Sequence, residues 1–180
     1  IFGPKGIGLL YKKASVNLTP ILYGSGHVNM LNPGTPPVPL IVSFAKAIRL
    51  ATTDLDKREN FVKRLNERIV TELSKYDGVL INQTKISIPH ILNISFKNIK
   101  AETFLHALEE YEIYVSTNTA CASGELSTSV MALYNDRKRA SSTLRISLSY
   151  VTTTDEINRF LGCFKMVYQR LSVLSRENKE

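Results

Sequence analysis

Val115-Ser-Thr-Asn-Thr-Ala-Cys-Ala-Ser-Gly124, followed by Ser141-Ser-Thr-Leu-Arg-Ile-Ser147, is the stretch on which the reading of the fold turns. The first segment holds a thiol among small polar residues, with no bulky apolar neighbour and a glycine to loosen the backbone. The second sets Arg145 between Leu144 and Ile146. Thr143 to Leu148 reads as a strand, Ile113 to Ser116 as a short strand leading into the thiol segment, and Ser127 to Tyr134 as a short helix between them. An arginine flanked by apolar residues on a strand points into the structure, and burying it without a partner is costly.

Working outward, Ala101 to Glu110 reads as a helix carrying Phe104, Leu105 and Leu108, and Val79 to Ile81 and Ile91 to Phe96 read as strands after the Asp77-Gly78 turn. Phe61, Leu65, Ile69 and Leu73 fall four apart, as on one helix face. Leu40, Ile41, Phe44 and Ile48 form a similar set from about Val38, and Thr52-Thr-Asp54 between the two reads as a kink. Further back stand Pro33-Gly-Thr-Pro-Pro37, a fixed loop, an extended stretch over 16–23, and a strand from Ile7 to Tyr11 after a glycine-rich turn. At the other end, Thr153-x-x-Glu156 is a capping box. It opens a helix with Ile157, Phe160, Leu161, Phe164, Val167 and Leu171 on one face, and the charged tail from Arg176 to Glu180 is expected to fray. This order is mixed α and β. It predicts a small mixed sheet covered by helices on one face. The division expected is 1–50 as the end of a larger domain with the start of a connecting helix, and 51–180 as a small C-terminal domain.

The chain has 180 residues, 43% hydrophobic and 22% charged, with a formal net charge of +7. These are ordinary values for a globular protein. No apolar run reaches the roughly 18 residues that cross a bilayer, and the start lacks a signal-peptide pattern. A cytoplasmic protein without membrane contact is expected. Lys and Arg are spread along the chain, with Arg137-Lys-Arg139 the densest group. That reads as a solvated basic surface, with an acidic protein partner as the alternative and no direct nucleic-acid contact.

Two cysteines are too few for a disulfide framework. Cys163, in Phe160-Leu-Gly-Cys-Phe164, reads as a buried small hydrophobe. Cys121 can be reached and can move, as a sulfur donor or acceptor must, but an incidental surface thiol fits its composition equally well. For Arg145, spacing alone favours an internal ion pair, while its guanidinium fork also suits a ligand α-carboxylate. Gly3-Pro-Lys-Gly-Ile-Gly8 and Gly24-Ser-Gly26 let backbone approach a ligand, or simply form turns. Gly34-Thr35 offers a hydroxyl and amides near a helix start, which suits phosphate. His27, His90 and His106 have no metal-site spacing. His106 reads as structural, and His27 is the one of interest beside the glycine turn.

In that order, these segments resemble the NifS/IscS-type, group I cysteine desulfurases of the class V aminotransferase family, pyridoxal-phosphate enzymes of fold type I. The matching stretches are Gly3 to Gly8, Gly24-Ser-Gly-His27 to Gly34-Thr35, Pro89 to Phe96, Thr119-Ala-Cys-Ala-Ser123 and Leu144-Arg-Ile-Ser147. The resemblance covers nearly the whole chain, as the C-terminal half of the family. It implies that Cys121 takes sulfur from L-cysteine as a persulfide, leaving L-alanine, and that Arg145 holds the substrate carboxylate. It also implies that Gly34 and Thr35 touch the phosphate of pyridoxal 5'-phosphate in the partner subunit of a homodimer. A sulfur-acceptor protein would receive the persulfide, for iron–sulfur assembly or transfer-RNA thiolation. The family's Schiff-base lysine would stand just before Ile1, so this stretch alone is expected to be inactive and not to bind the cofactor covalently. The pattern departs at Val28, at Asn32-Pro33, at Ser147-Leu-Ser149 and at Ser116-Thr-Asn-Thr119. A non-catalytic class V domain kept for partner binding, a selenocysteine lyase and an aminotransferase are the alternatives.

Overall fold

A computed structural model of the chain describes residues 1–24, 31–117 and 126–177, with side-chain surroundings through residue 173. The chain divides into two compact units, Ile1–Leu55 and Asp56–Glu180.

The first unit holds one helix, α1 (Val38–Thr52). Its inner side carries Leu40, Phe44, Ala47 and Ile48, and Ala47 is buried. Gly3 approaches this side so closely that a Cβ there would meet Phe44 and Ala47 at 3.4 and 3.2 Å. The strand expected at Ile7 to Tyr11 is absent. Residues 7–11 have no regular structure, and Leu9, Leu10 and Tyr11 are exposed. A strand needs ladder partners for its N–H and C=O groups, and none of the described residues pairs with this stretch. The stretch over 16–23 likewise has no regular structure. The link to the next helix is a break rather than a kink. Thr53 is extended (φ −69°, ψ 132°) and Asp54 takes a left-handed φ of 55°, so α1 stops and α2 (Leu55–Leu73) begins anew.

The second unit is built on a three-stranded antiparallel sheet in the order β1 (Val79–Ile81), β2 (Ile91–Phe96), β3 (Thr143–Ser147). Side chains alternate across a strand. Leu92, Ile94 and Phe96 therefore share a face with Leu144 and Ile146, and all five are buried. Onto this face pack α2, α3 (Ala101–Glu109) and α6 (Thr154–Glu177). Leu65, Ile69 and Leu73 come from α2, Phe104 and Leu108 from α3, and Ile157, Phe160, Phe164 and Val167 from α6. Phe164 is the hub, with ring centroids 4.8 Å from Phe104, 5.6 Å from Tyr76 and 5.8 Å from Phe160. Cys163 is buried in the same cluster, as its apolar setting predicts. Full burial of such side chains is worth about 1.5–3 kcal/mol each.

The two short helices that directly follow the Cys121 segment start on a side-chain cap. Ser127 caps α4 (Thr128–Tyr134) by accepting from Val130 N–H, and Asp136 caps α5 (Arg137–Ser141) by accepting from Arg139 N–H. The sequence reading of 137–139 as a basic surface cluster missed α5, whose five residues are too few for a periodic signal. Of the strand expected at Ile113 to Ser116, only Ser116 pairs, as a single bridge to Arg145. The capping box at α6 is formed: Thr153 N–H donates to Glu156 Oε2 at 2.7 Å, and Glu156 N–H donates to Thr153 Oγ1 at 3.1 Å. Of the tail expected to fray, Arg176 and Glu177 belong to α6, and residues 178–180 lie outside the described residues.

Candidate functional site

The face of the sheet opposite the apolar core carries a run of polar residues beside Leu80 and Ile91. On β3 it presents Thr143, Arg145 and Ser147, the residues between Leu144 and Ile146 and on either side of them. On β2 it presents Asn93 and Ser95, which pair across the ladder with Arg145 and Thr143. Arg145 donates its backbone N–H to Ser116 O at 2.6 Å and accepts Ser116 N–H at 3.1 Å. Both of its main-chain groups thus point away from β2. Asn93 C=O points the other way, accepting Asn82 N–H at 2.8 Å. Arg145 and Asn93 are therefore a non-hydrogen-bonded antiparallel pair, the kind in which facing side chains come closest.

The Arg145 side chain is half-buried, and its Nε is fully shielded without a hydrogen-bond partner among the described residues. The internal ion pair that spacing favoured is not formed there: no carboxylate of the described residues bridges to Arg145. A buried donor left unsatisfied costs about 1–3 kcal/mol, more when charged. Such a group fits a planar anion that could take Nε and its neighbour together.

Beside Arg145 runs a chain of hydrogen bonds. Arg139 Nε donates to Asn82 Oδ1 at 2.6 Å, and Arg139 Nη2 donates to Ile81 O at 2.8 Å. The same guanidinium lies 3.5 Å from the centre of the Tyr134 ring. Asn82 Nδ2 donates to Asn93 Oδ1 at 2.6 Å and to Ser95 Oγ at 2.7 Å. Asn82 and Ser95 are buried.

Cys121 lies outside the described residues, as do 118–125 around it. The residues that bracket this segment are described. Thr117 O accepts Thr143 Oγ1–H at 3.0 Å, and Ser127 N–H donates to Ala140 O at 3.0 Å. The segment thus leaves from and returns to the stretch that runs into Arg145. Thr117 and Leu126 also line one cleft of about 640 Å³, with Lys97, Lys100 and Lys138 at its walls.

Gly34 and Thr35 belong to the first unit and are exposed. Gly34 has φ 109°, which L-residues rarely adopt. The expected help from a helix start is thin. Pro36, Pro37 and Pro39 have no N–H, and Val38 N–H is spent on Pro36 O at 2.9 Å. What fits a phosphate here is the Thr35 hydroxyl with the amides of residues 34 and 35. His27 and Gly26 lie outside the described residues. His106 stands exposed on α3, its Nδ1 2.8 Å from Glu109 Oε2. Among the described residues no three His, Cys, Asp or Glu side chains gather as a metal site would need, and no helix is long and apolar enough to cross a membrane.

Comparison with known proteins identifies the lineage. The aminotransferase class-V profile matches residues 1–160. A NifS/IcsS protein homolog of Lactobacillus delbrueckii subsp. bulgaricus is 33% identical over 96% of this chain and 46% of its own length. Cysteine desulfurase IscS 1 of Archaeoglobus fulgidus is 31% identical over 97% of this chain and 47% of its own. A solved NifS-like protein superposes with a TM-score of 0.80 at 32% identity, over 94% of this chain and 44% of that one. The chain thus spans less than half the length of these relatives. By this match over most of its residues, the chain belongs to the aminotransferase class-V family, as a homologue of the NifS/IscS cysteine desulfurases.

Proposed function

We propose that this chain is the C-terminal part of a pyridoxal-phosphate-dependent cysteine desulfurase, with Arg145 holding the α-carboxylate of L-cysteine and Cys121 taking its sulfur. The observation that carries this reading is the buried Nε of Arg145, without a hydrogen-bond partner among the described residues, on the sheet face opposite the core. Arg145 is fixed there by β2 on one side and Ser116 on the other, next to both ends of the Cys121 segment.

Arg145 orients the substrate through its carboxylate, as a charge-assisted fork. The Cys121 thiolate attacks the substrate sulfur and forms an S–S bond. The substrate's C–S bond breaks, its electron pair stays on carbon, and that carbon takes up a proton to become L-alanine. When bound, pyridoxal phosphate supplies the electron sink for that cleavage. Gly34 and Thr35 would hold its phosphate, from the partner subunit of a homodimer. The Cys121 persulfide then passes its outer sulfur to a thiol of an acceptor protein, for iron–sulfur assembly or transfer-RNA thiolation.

The complete protein is expected to release sulfide and L-alanine from L-cysteine in the presence of a thiol reductant. Cys121→Ala is expected to abolish sulfide release while the bound cofactor keeps its colour. Unchanged turnover in that variant would remove Cys121 from the role. Parallel assays with selenocysteine and with keto acids separate a selenocysteine lyase and an aminotransferase. A second reading, a non-catalytic class V domain kept for partner binding, draws on the three prolines that leave the start of α1 poor in donors. It predicts a complete protein that purifies without cofactor.

A further inference from the structure

We propose that Asn93 is a second carboxylate-binding residue, whose amide is turned to offer its N–H groups beside Arg145 by a relay through Asn82 from Arg139. This rests on the reading of Arg145 as the carboxylate site.

The orientation follows from donor and acceptor chemistry. A guanidinium can only donate. Arg139 Nε, at 2.6 Å, therefore fixes Asn82 with Oδ1 towards itself. Asn82 must then present Nδ2 to its other neighbours, Asn93 at 2.6 Å and Ser95 at 2.7 Å. An N–H there demands an acceptor, so Asn93 turns its Oδ1 to Asn82. Its Nδ2 is left at the free end of the amide, with no hydrogen bond among the described residues. The relay is held rigid by Ile81 O at 2.8 Å from Arg139 Nη2 and by the Tyr134 ring under the guanidinium.

Asn93 faces Arg145 in the close, non-hydrogen-bonded kind of cross-strand pair. Both side chains of this pair offer donors, and two donors cannot satisfy each other. Arg145 Nε has no partner among the described residues, and neither has Asn93 Nδ2. What satisfies both is one acceptor with two oxygens, a carboxylate. Asn93 adds specificity as well as hold, because an amide donor discriminates against substrates that lack an acceptor at that place.

The test uses the complete holoprotein and 3-mercaptopropionate, which is cysteine without its amino group. Binding is followed by calorimetry, with mercaptoethylamine as the probe without a carboxylate. Asn93→Asp keeps an oxygen for Asn82 Nδ2 and so preserves the relay, but it replaces the free N–H pair with a second anion that engages Arg145. It is expected to weaken 3-mercaptopropionate at least thirtyfold and leave mercaptoethylamine unchanged. Asn93→Ser, a milder change that decides the matter if the aspartate variant does not fold, is expected to cost about tenfold, the scale of one lost hydrogen bond to a charged group. With L-cysteine as substrate, both raise KM far more than they lower kcat. If the Asn93 variants bind the probe like the parent while Arg145→Met does not, the role of Asn93 is overturned and that of Arg145 stands. If Arg145→Met also binds like the parent, the carboxylate site itself is elsewhere and both fall.

Discussion

Gly78 shows how little room a single position can have. Its N–H donates to the Tyr168 hydroxyl at 3.2 Å, and a Cβ added there would run into the same oxygen. Tyr168 cannot swing away cheaply, because its ring lies 4.7 Å from Tyr76 and is parallel to Phe164 at 6.2 Å. Gly78→Ala is expected to destabilise the fold by about 1–3 kcal/mol, the usual range for overpacking. Tyr168→Phe in the same chain should recover part of that loss, because it removes the clashing oxygen. Urea unfolding of the two single variants and the double variant reads the coupling, and strictly additive losses would refute the clash. The same scale explains what the residues of the site revealed in advance. Arg145 is legible because its neighbours are apolar and a strand alternates. Asn93 is not, because its partner in the amide relay lies eleven residues away and the anchor of that relay, Arg139, is 57 residues from Asn82. Arg139 in sequence is one of three adjacent basic residues, and nothing local marks it as the one turned inward.

Helices are where local signals carried furthest. The α6 start is written in Thr153 and Glu156, and the structure forms both arms of that box. The strand at residues 7–11 failed for the complementary reason: helical bonds close within a segment, whereas a strand depends on a partner that no local pattern guarantees. The α6 box also predicts a pH effect. Glu156 accepts the Thr153 backbone N–H and hydroxyl, and this holds its carboxyl below the ordinary glutamate value. The folded carboxyl is thus the stronger acid. Its stabilisation is present above the unfolded value, about 4.3, and is lost as pH falls through the lower folded value. Glu156→Gln keeps an accepting oxygen but cannot titrate, so the chain should lose this part of its acid sensitivity. Thr153→Ala removes the cap itself and is expected to cost about 1 kcal/mol. Urea midpoints of both variants between pH 3 and pH 7 check the pair. An acid limb of equal slope in Glu156→Gln and the parent would exclude Glu156 as its source.

At the scale of the whole chain the two units differ in what supports them. The apolar core cluster lies entirely within the second unit, from α2 through the sheet to α6. The first unit buries Ala47 but leaves Leu9, Leu10, Tyr11, Ile21, Leu22 and Tyr23 open. A segment of that size is marginal even with a well-formed core, and this one leaves those apolar side chains exposed. The second unit carries most of the helices whose periodicity was readable, α1 of the first unit being the other, because a face must be apolar to enter a core. Among its described residues the first unit has one helix and no apolar core cluster, so outside α1 local pattern could not arbitrate between loop and strand. Residues 56–180 expressed by themselves should therefore fold cooperatively, with a near-ultraviolet circular dichroism signal from the Phe164 cluster and a single urea transition. Phe164→Ala, which empties the hub of that cluster, is expected to lower its stability by about 3–5 kcal/mol. Residues 1–55 alone should show no cooperative transition. If 56–180 instead gave secondary structure without a near-ultraviolet signal, the core seen here would need the first unit to assemble, and this division of stability would be wrong.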